Sequence, residues 1–493
     1  MLESIGEGGR RDEEKSCGGL DGKRERKEMT GQRNSVSDVK IAYIGGGSRG
    51  WAWTFMTDLA LEPSMSGTIR LYDIDIQAAR ANEIIGNAVT ARAEAVGKWK
   101  YEVCETLKEA LTGVDFVVIS ILPGTFDEME SDVHLPERYG IYQSVGDTAG
   151  PGGLMRALRT APMFAEIAEA IRAYAPQAWV INYTNPMSLC VRTLYHVFPE
   201  IKAFGCCHEV FGTQKVLAAI AQKALGVEKI ERQDIHVNVM GLNHFTWFDK
   251  ASFGSHDLFP VYEAFIERNF GEGYHDPDRN WANSSFNCAH RVKFDLFRRF
   301  GAIAAAGDRH LAEFMPGDMY LRDPQTVREW KFGLTTVGWR KNDLKARLEK
   351  SAELVSGRRE VELRPTGEEG IRLIRALCGL DRMISNVNLP NACGQIANMP
   401  GDCIVETNAV FSRGSVAPVF AGSMPEPVLE LMRPHVDNQR DILTAALEHD
   451  FGLCLDALMR DPLVSGRITR AQGEEMLRAM MENTKRYLPG WRL

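Results

Sequence analysis

Two hydrophobic periods alternate along the first half of this chain. Short, predominantly apolar runs are followed by longer stretches in which apolar residues return every three or four positions. Val39 to Ile44 reads as a strand, Ala52 to Leu61 as a helix and Thr68 to Tyr72 as a second strand. The alternation continues through a helix over Ile76 to Val96, a strand over Phe116 to Ile121, a helix over Leu154 to Tyr174 and a strand over Ala178 to Asn182. Such alternation predicts an α/β fold, a doubly wound parallel sheet with ligands at the strand C-termini. After the apolar run ending at Phe204 and Gly205 come a helix over Gln214 to Leu225, a strand over Asp234 to Met240 and a basic helical stretch over Trp281 to Phe300. Lys331 to Leu493 reads as a second α/β region that closes in helices. Its amphipathic runs Leu429 to Leu447 and Leu453 to Leu458 form a terminal pair after the Pro425-Glu426-Pro427 turn.

Met1 to Asp38 has no apolar period and too little hydrophobic mass to fold, so it is expected to be a disordered tail. Met29 is the expected start of translation, which N-terminal sequencing of the native protein would overturn by finding Met1. The 493 residues exceed one ordinary core. The expected division is a tail over 1–38, a nucleotide-binding domain over 39–205 and a metal- and substrate-binding domain over 206–493. The hydrophobic share of 44% and charged share of 25% fit a soluble globular chain. A formal net charge of -8 argues against nucleic-acid binding, which needs a basic field. With no membrane-length apolar run and no apolar leader, a cytoplasmic location without a membrane partner is expected. The 10 cysteines lack a repeating spacing and are read as free thiols, with room for one metal ligand.

The first strand runs into Gly45-Gly46-Gly47-Ser48-Arg49-Gly50, with a helix after it and a second strand that ends in Asp73. That context marks a dinucleotide site. Gly45 permits the tight turn, Gly47 admits the pyrophosphate, Gly50 allows helix–strand packing, and Ser48 joins them as a cofactor contact. Asp73 would accept the ribose hydroxyls, which favours NAD over NADP. Asn182 and Asn185, in the turn Asn182-Tyr183-Thr184-Asn185-Pro186, would point amides into the same crevice. The glycine-rich segment Gly146 to Gly153 is expected to be a flexible cover over the cofactor. Cys207 in Cys206-Cys207-His208-Glu209-Val210 and His244 in Gly241-Leu242-Asn243-His244 offer a soft and a borderline metal ligand. Asp308-Arg309-His310 follows a small-residue run and is a candidate for chemistry or a solvated loop.

In this order the motifs resemble glycoside hydrolase family four, whose members depend on NAD and a divalent metal and share a fold with lactate and malate dehydrogenases. The resemblance runs from about Val39 to the C-terminus and also takes in Gly150-Pro151-Gly152-Gly153 and Asn388-Leu389-Pro390-Asn391. It implies a Rossmann-like domain fused to a lactate/malate-dehydrogenase-like C-terminal domain. Within the family, the Cys-His-Glu-Val form is similar to the α-galacturonidase group, with α-glucuronidases, α-galactosidases and α-glucosidases as relatives. By resemblance, Cys207 and His244 bind Mn²⁺, Asp308 is the proton-abstracting base with Tyr320 in reserve, and His208 assists the leaving group. Glu209 tunes which sugar fits, Asn185 holds a hydroxyl, and Lys293 or Arg309 meets the carboxylate of a uronide, with Arg291 and Arg299 nearby. The implied route oxidises sugar C3 with NAD, removes the C2 proton, eliminates the aglycone from C1, adds water and returns the hydride. A homodimer or homotetramer is expected.

Two other classes compete. A dehydrogenase with net NAD turnover would polarise its carbonyl with Arg and His and would need no thiolate. A redox-sensing nucleotide-binding protein would use Cys206 and Cys207 as a switch, without Mn²⁺.

Overall fold

The computed structural model describes residues 35–275 and 286–492. Most of the expected tail, the Met29 start and residues 281–285 of the basic stretch lie outside the described residues.

The first half builds strands β1 (Val36–Ile44), β2 (Met65–Tyr72), β3 (Lys98–Val103), β4 (Phe116–Ile119), β5 (Trp179–Asn182) and β6 (Lys202–Gly205). Between them run helices α1 (Trp51–Ala60), α2 (Ile76–Thr90), α3 (Leu107–Leu111), α4 (Phe126–His134), α5 (Gly150–Tyr174) and α6 (Met187–Val197). All six strands pair in parallel, in the order β6-β5-β4-β1-β2-β3. Every residue of β4 is buried, because a parallel sheet is covered on both faces. That is why its strands read as apolar runs. Strand β3 escaped this reading, since KWKYEV alternates and buries only Trp99 and Tyr101 deeply at the sheet edge. The expected helix over Ile76 to Val96 accordingly ends at Thr90.

The second half begins with α7 (Glu209–Leu225), β7 (Ile235–Leu242), β8 (Phe245–Phe253), β9 (His256–Asp257) and α8 (Phe259–Asn269). It continues with α9 (Arg291–Phe300), β10 (Ile303–Ala304), α10 (Asp308–Glu313), α11 (Pro324–Glu329), α12 (Val337–Val355) and α13 (Gly370–Leu377). The chain closes with β11 (Met383–Pro390), β12 (Ile404–Ser412), β13 (Ser415–Pro418), α14 (Glu426–Glu448), α15 (Phe451–Arg460) and α16 (Arg470–Thr484). Strands β7, β8, β9 and β10 form a separate antiparallel sheet, in which β8 pairs with each of the other three. Strands β11, β12 and β13 extend the first sheet from β6, where Asn388 pairs with Gly205 in antiparallel register. One nine-stranded sheet therefore crosses the expected boundary at residue 205.

The expected cover over Gly146 to Gly153 is not a free loop. Gly150 to Gly153 form the first turn of α5 and are buried. A methyl on Gly152 would sit 2.7 Å from the Gly146 carbonyl oxygen, and one on Gly153 would collide with Thr148. The glycines here let the helix start close against the segment that precedes it.

Gly45 has the conformation the dinucleotide turn requires, with φ of 93°, and a methyl there would strike the Ser120 carbonyl oxygen at the end of β4. Gly140 has a similar φ of 75° with open space around it. Gly140→Ala should therefore cost only the left-handed backbone term, about 1–2 kcal/mol, in urea unfolding. Gly45→Ala should cost clearly more, and equal losses would show that the Ser120 contact yields.

Candidate active site

The glycine turn is closed by Ser48 N–H to the Gly45 carbonyl, and Gly47 N–H donates to Asp73 Oδ2 at 2.8 Å. Asp73 Oδ1 accepts from Asp75 N–H at 2.9 Å. A methyl on Gly47 would lie 2.6 Å from Ala78 Cβ, so this glycine also admits α2. Gly50 differs from expectation, because what a side chain there would meet is the Arg347 guanidinium of α12 rather than a strand. The N-terminus of α1 has no side-chain cap. Its free N–H groups, the turn and the Asp73 carboxylate fit a dinucleotide's pyrophosphate and ribose. Asn182 does not join them. Its amide oxygen accepts Thr184 N–H and its Nδ2 donates to the Thr184 carbonyl, so the fully buried side chain shapes the turn after β5.

Across the crevice, three side chains from distant parts of the sequence converge. Asp147 precedes α5, His244 sits in the tight β7–β8 connection, and His310 lies on α10. Their ligand atoms all fall within 4.8 Å of one another. His244 adopts φ of 63°, the left-handed conformation of the tight β7–β8 turn. The Thr148 hydroxyl donates to Asp147 Oδ1 at 2.7 Å, so at 3.0 Å from His244 Nδ1 it must accept. That contact fixes the His244 tautomer and leaves the Nε2 lone pair for a metal. Burial and the adjacent His310 lower the His244 pKa to about 3, which keeps the imidazole neutral as a ligand must be. Burial opposes the charge on Asp147, but the Arg156 guanidinium, with the Thr148 hydroxyl among other neighbours, acts against it, and the carboxyl lies well below its usual range. Imidazole and carboxylate donors of this kind suit a divalent transition metal such as manganese.

Cys207 is not in this trio. Its thiol contacts the Asn243 amide, near Glu406 and Glu209. Glu209, on the first turn of α7, accepts Gly307 N–H at 2.8 Å and lies 3.7 Å from His310 Nε2. Burial works against its charge, which the Gly307 N–H favours. His208 is exposed, 3.4 Å from Glu368 and beside the Trp51 ring.

Several expected site residues are engaged elsewhere. Asp308 is wholly buried, and its two oxygens accept Val292 and Lys293 N–H at the start of α9. Burial raises its pKa to about 6. Tyr320 lies in the C-terminal core and donates to Asp295 at 2.6 Å. Lys293, 1% exposed, donates to Thr213 at 2.7 Å and faces no crevice. Arg309 donates to the Ser144 carbonyl at 2.9 Å and to the Thr335 hydroxyl. Asn185 does face the trio, with Nδ2 3.4 Å from Asp147 and a buried amide oxygen that has no partner. The oxygen of Asn243, Nδ1 of His310 and Oε2 of Glu313 are likewise buried and unpartnered. Together they mark a polar chamber that a hydroxyl-rich ligand would complete.

Residues 40–223 match the model of the Family 4 glycosyl hydrolases, and residues 239–464 match the model of that family's C-terminal domain. The chain belongs to glycosyl hydrolase family 4. Among relatives in this family, the alpha-galacturonidase of Lachnoclostridium phytofermentans is 65% identical, covering 94% of this chain and 99% of the relative. The crystal structure of Bacillus subtilis LplD superposes with a TM-score of 0.86 at 51% identity, covering 90% of this chain and 100% of that one. A 6-phospho-alpha-glucosidase from gut microorganisms, solved in complex with NAD and Mn²⁺, shares the fold at 21% identity with a TM-score of 0.74 and covers 92% of this chain and 100% of that one. No helix among the described residues is long and apolar enough to cross a membrane.

For this family 4 chain, sequence reasoning noticed Asp147 and His310 only as parts of a loop and of an ionisable cluster. Glu406 was missed altogether, sitting as it does in an apolar strand. It is 1% exposed, accepts from Asn243 and Asn386, and burial raises its pKa to about 7. A carboxyl whose folded pKa exceeds its unfolded value favours the fold when protonated, and that stability is lost as pH rises from about 4.5 through 7. Thermal unfolding of Glu406→Gln should show a flatter pH dependence than the parent across this window. An unchanged slope would assign the titration to another group.

Proposed function

We propose that this protein hydrolyses α-galacturonides, with NAD⁺ and a divalent metal such as Mn²⁺ as catalytic cofactors. The observation that carries the substrate is the 65% identity, over nearly the whole chain, to an alpha-galacturonidase. The cofactors are supported by the glycine turn with Asp73 on one wall and the Asp147, His244 and His310 group on the other. When bound, NAD⁺ would supply reversible hydride transfer at sugar C3, and the metal would polarise the oxygens beside it.

Proton movements fall to the chain's own side chains. Asp308 is sealed beneath two helix N–H groups, so we assign removal of the C2 proton to His310 instead. Burial keeps His310 neutral, its Nδ1 has no partner, and Glu209 stands beside Nε2 to balance the imidazolium that forms. His244 and Asp147 are then the metal donors, with Cys207 as a further one. The exposed His208, next to Glu368, protonates the leaving oxygen at C1. Asn185 offers its free amide oxygen to a sugar hydroxyl. Loss of the C2 proton and departure at C1 make an elimination; water then adds its oxygen at C1 and a proton returns to C2, and the hydride that bound NAD would hold would have to return to C3 to complete hydrolysis. The same reading makes the protein a cytoplasmic homodimer or homotetramer, which sedimentation equilibrium would distinguish.

An aryl α-galacturonide supplied with NAD⁺, Mn²⁺ and a thiol reductant in heavy water should give free sugar with deuterium at C2. Sugar without that deuterium would exclude the elimination route, and stoichiometric NADH would point to a dehydrogenase. His310→Gln should slow C2 exchange at least about 100-fold while Mn²⁺ affinity, read by electron paramagnetic resonance, stays near the parent value. His244→Ala should weaken Mn²⁺ binding by about tenfold or more. Full Mn²⁺ affinity in Cys207→Ser would remove the thiolate from the donor set.

A further inference from the structure

We propose that Arg340 is the side chain that grips the carboxylate of the uronide, an assignment that rests on the α-galacturonide reading above. The other cations near the chamber already have acceptors. Arg291 donates to the Phe270 and Glu329 carbonyls, Arg299 to Asp295, Lys293 to Thr213, and Arg156 to the Asn185 carbonyl. Arg340 stands apart. Its guanidinium makes no hydrogen bond or ion pair with any described residue, although its Nε is buried away from water.

An unpaired N–H in a buried position is unfavourable unless a ligand supplies the acceptor. The position of Arg340 says what that ligand meets. It lies on the first turn of α12, and two contacts pin that turn. Thr335 N–H donates to the Ser144 carbonyl, and Val337 N–H donates to His134 Nε2 at 3.2 Å. The charged groups acting on Arg340 are Asp147, Arg156, Arg309 and Glu313, which border the same chamber. Two helical turns further along α12, Arg347 donates to the Arg49 carbonyl in the glycine turn. Seven residues of helix span about 10 Å, so one helix carries a cation to the cofactor side and another to the sugar side. A planar guanidinium holds a carboxylate through two parallel hydrogen bonds, which a neutral C6 hydroxymethyl group cannot offer.

The test uses the NAD⁺- and Mn²⁺-loaded enzyme with 4-nitrophenyl α-D-galacturonide and 4-nitrophenyl α-D-galactoside, alongside calorimetric binding of D-galacturonate and D-galactose. Arg340→Gln should lower kcat/KM for the galacturonide at least about 100-fold, chiefly through KM. It should also abolish the preference for galacturonate over galactose in binding, while NAD⁺ affinity stays within about twofold. Arg340→Lys should recover part of the loss, since it restores charge without the fork. A galacturonide kcat/KM within about threefold of the parent overturns the assignment. So does a loss of NAD⁺ affinity with the galacturonate preference intact, which would place Arg340 in the cofactor site. If the parent releases no sugar from the galacturonide, the proposed function fails. The calorimetric preference, present in the parent and absent in Arg340→Gln, would then still decide the role of Arg340.

Discussion

The charge on Asp147 is the interaction on which the arrangement of this crevice depends. A carboxylate in a partly enclosed position stays ionised only where cations and donors outweigh the cost of desolvation. Arg156, one and a half turns into α5, provides that cation and at the same time fixes the turn after β5 through the Asn185 carbonyl. Thr148 links the carboxylate to His244 and so to the β7–β8 hairpin, and Asn185 reaches it from the parallel sheet. One negative charge thus gathers elements from both halves of the chain.

Other buried carboxylates act on the frame around it. Asp308 receives the first N–H groups of α9, Glu313 receives those of Val145 and Gly146, and Asp461 receives Gly150 N–H where α5 begins. Each satisfies backbone donors that would otherwise be orphaned, at the starts of α9 and α5 or in the segment before α5. Burial raises the pKa of Asp308 to about 6 and that of Glu313 to about 7, while the N–H groups each one accepts favour its charge in part. Both oxygens of Asp308 are occupied by the Val292 and Lys293 N–H groups, although its position in the sequence invites a catalytic reading.

Family 4 chemistry places unusual demands on a fold, since a nucleotide site, a cation site and a sugar chamber must share one crevice. Here the parallel sheet supplies the first at the ends of β1 and β2. The loop before α5, the β7–β8 hairpin and α10 bring together the carboxylate and imidazoles that could hold the second. Helix α12 carries Arg347, which donates to the Arg49 carbonyl in the glycine turn, and Arg340 two helical turns earlier.

Periodicity and punctuation in the sequence were enough to determine the doubly wound sheet and the glycine turn with Asp73, and the resemblance of its motifs gave the family. Those features are local, since a strand's apolar run, a turn's glycine and a motif's spacing are each written in adjacent residues. Edge strand β3 was obscured because half of its residues face solvent. Which side chains meet was decided only by tertiary structure. Asp147, His244 and His310 are separated by long stretches of chain and become neighbours when the hairpin and α10 close over the sheet. Lys293 and Tyr320 carry suitable chemistry but point into the core, while Arg340 carried no motif at all. A residue's type is set by its codon, but its direction depends on what packs around it, and the function of a cation or a carboxylate depends on that direction.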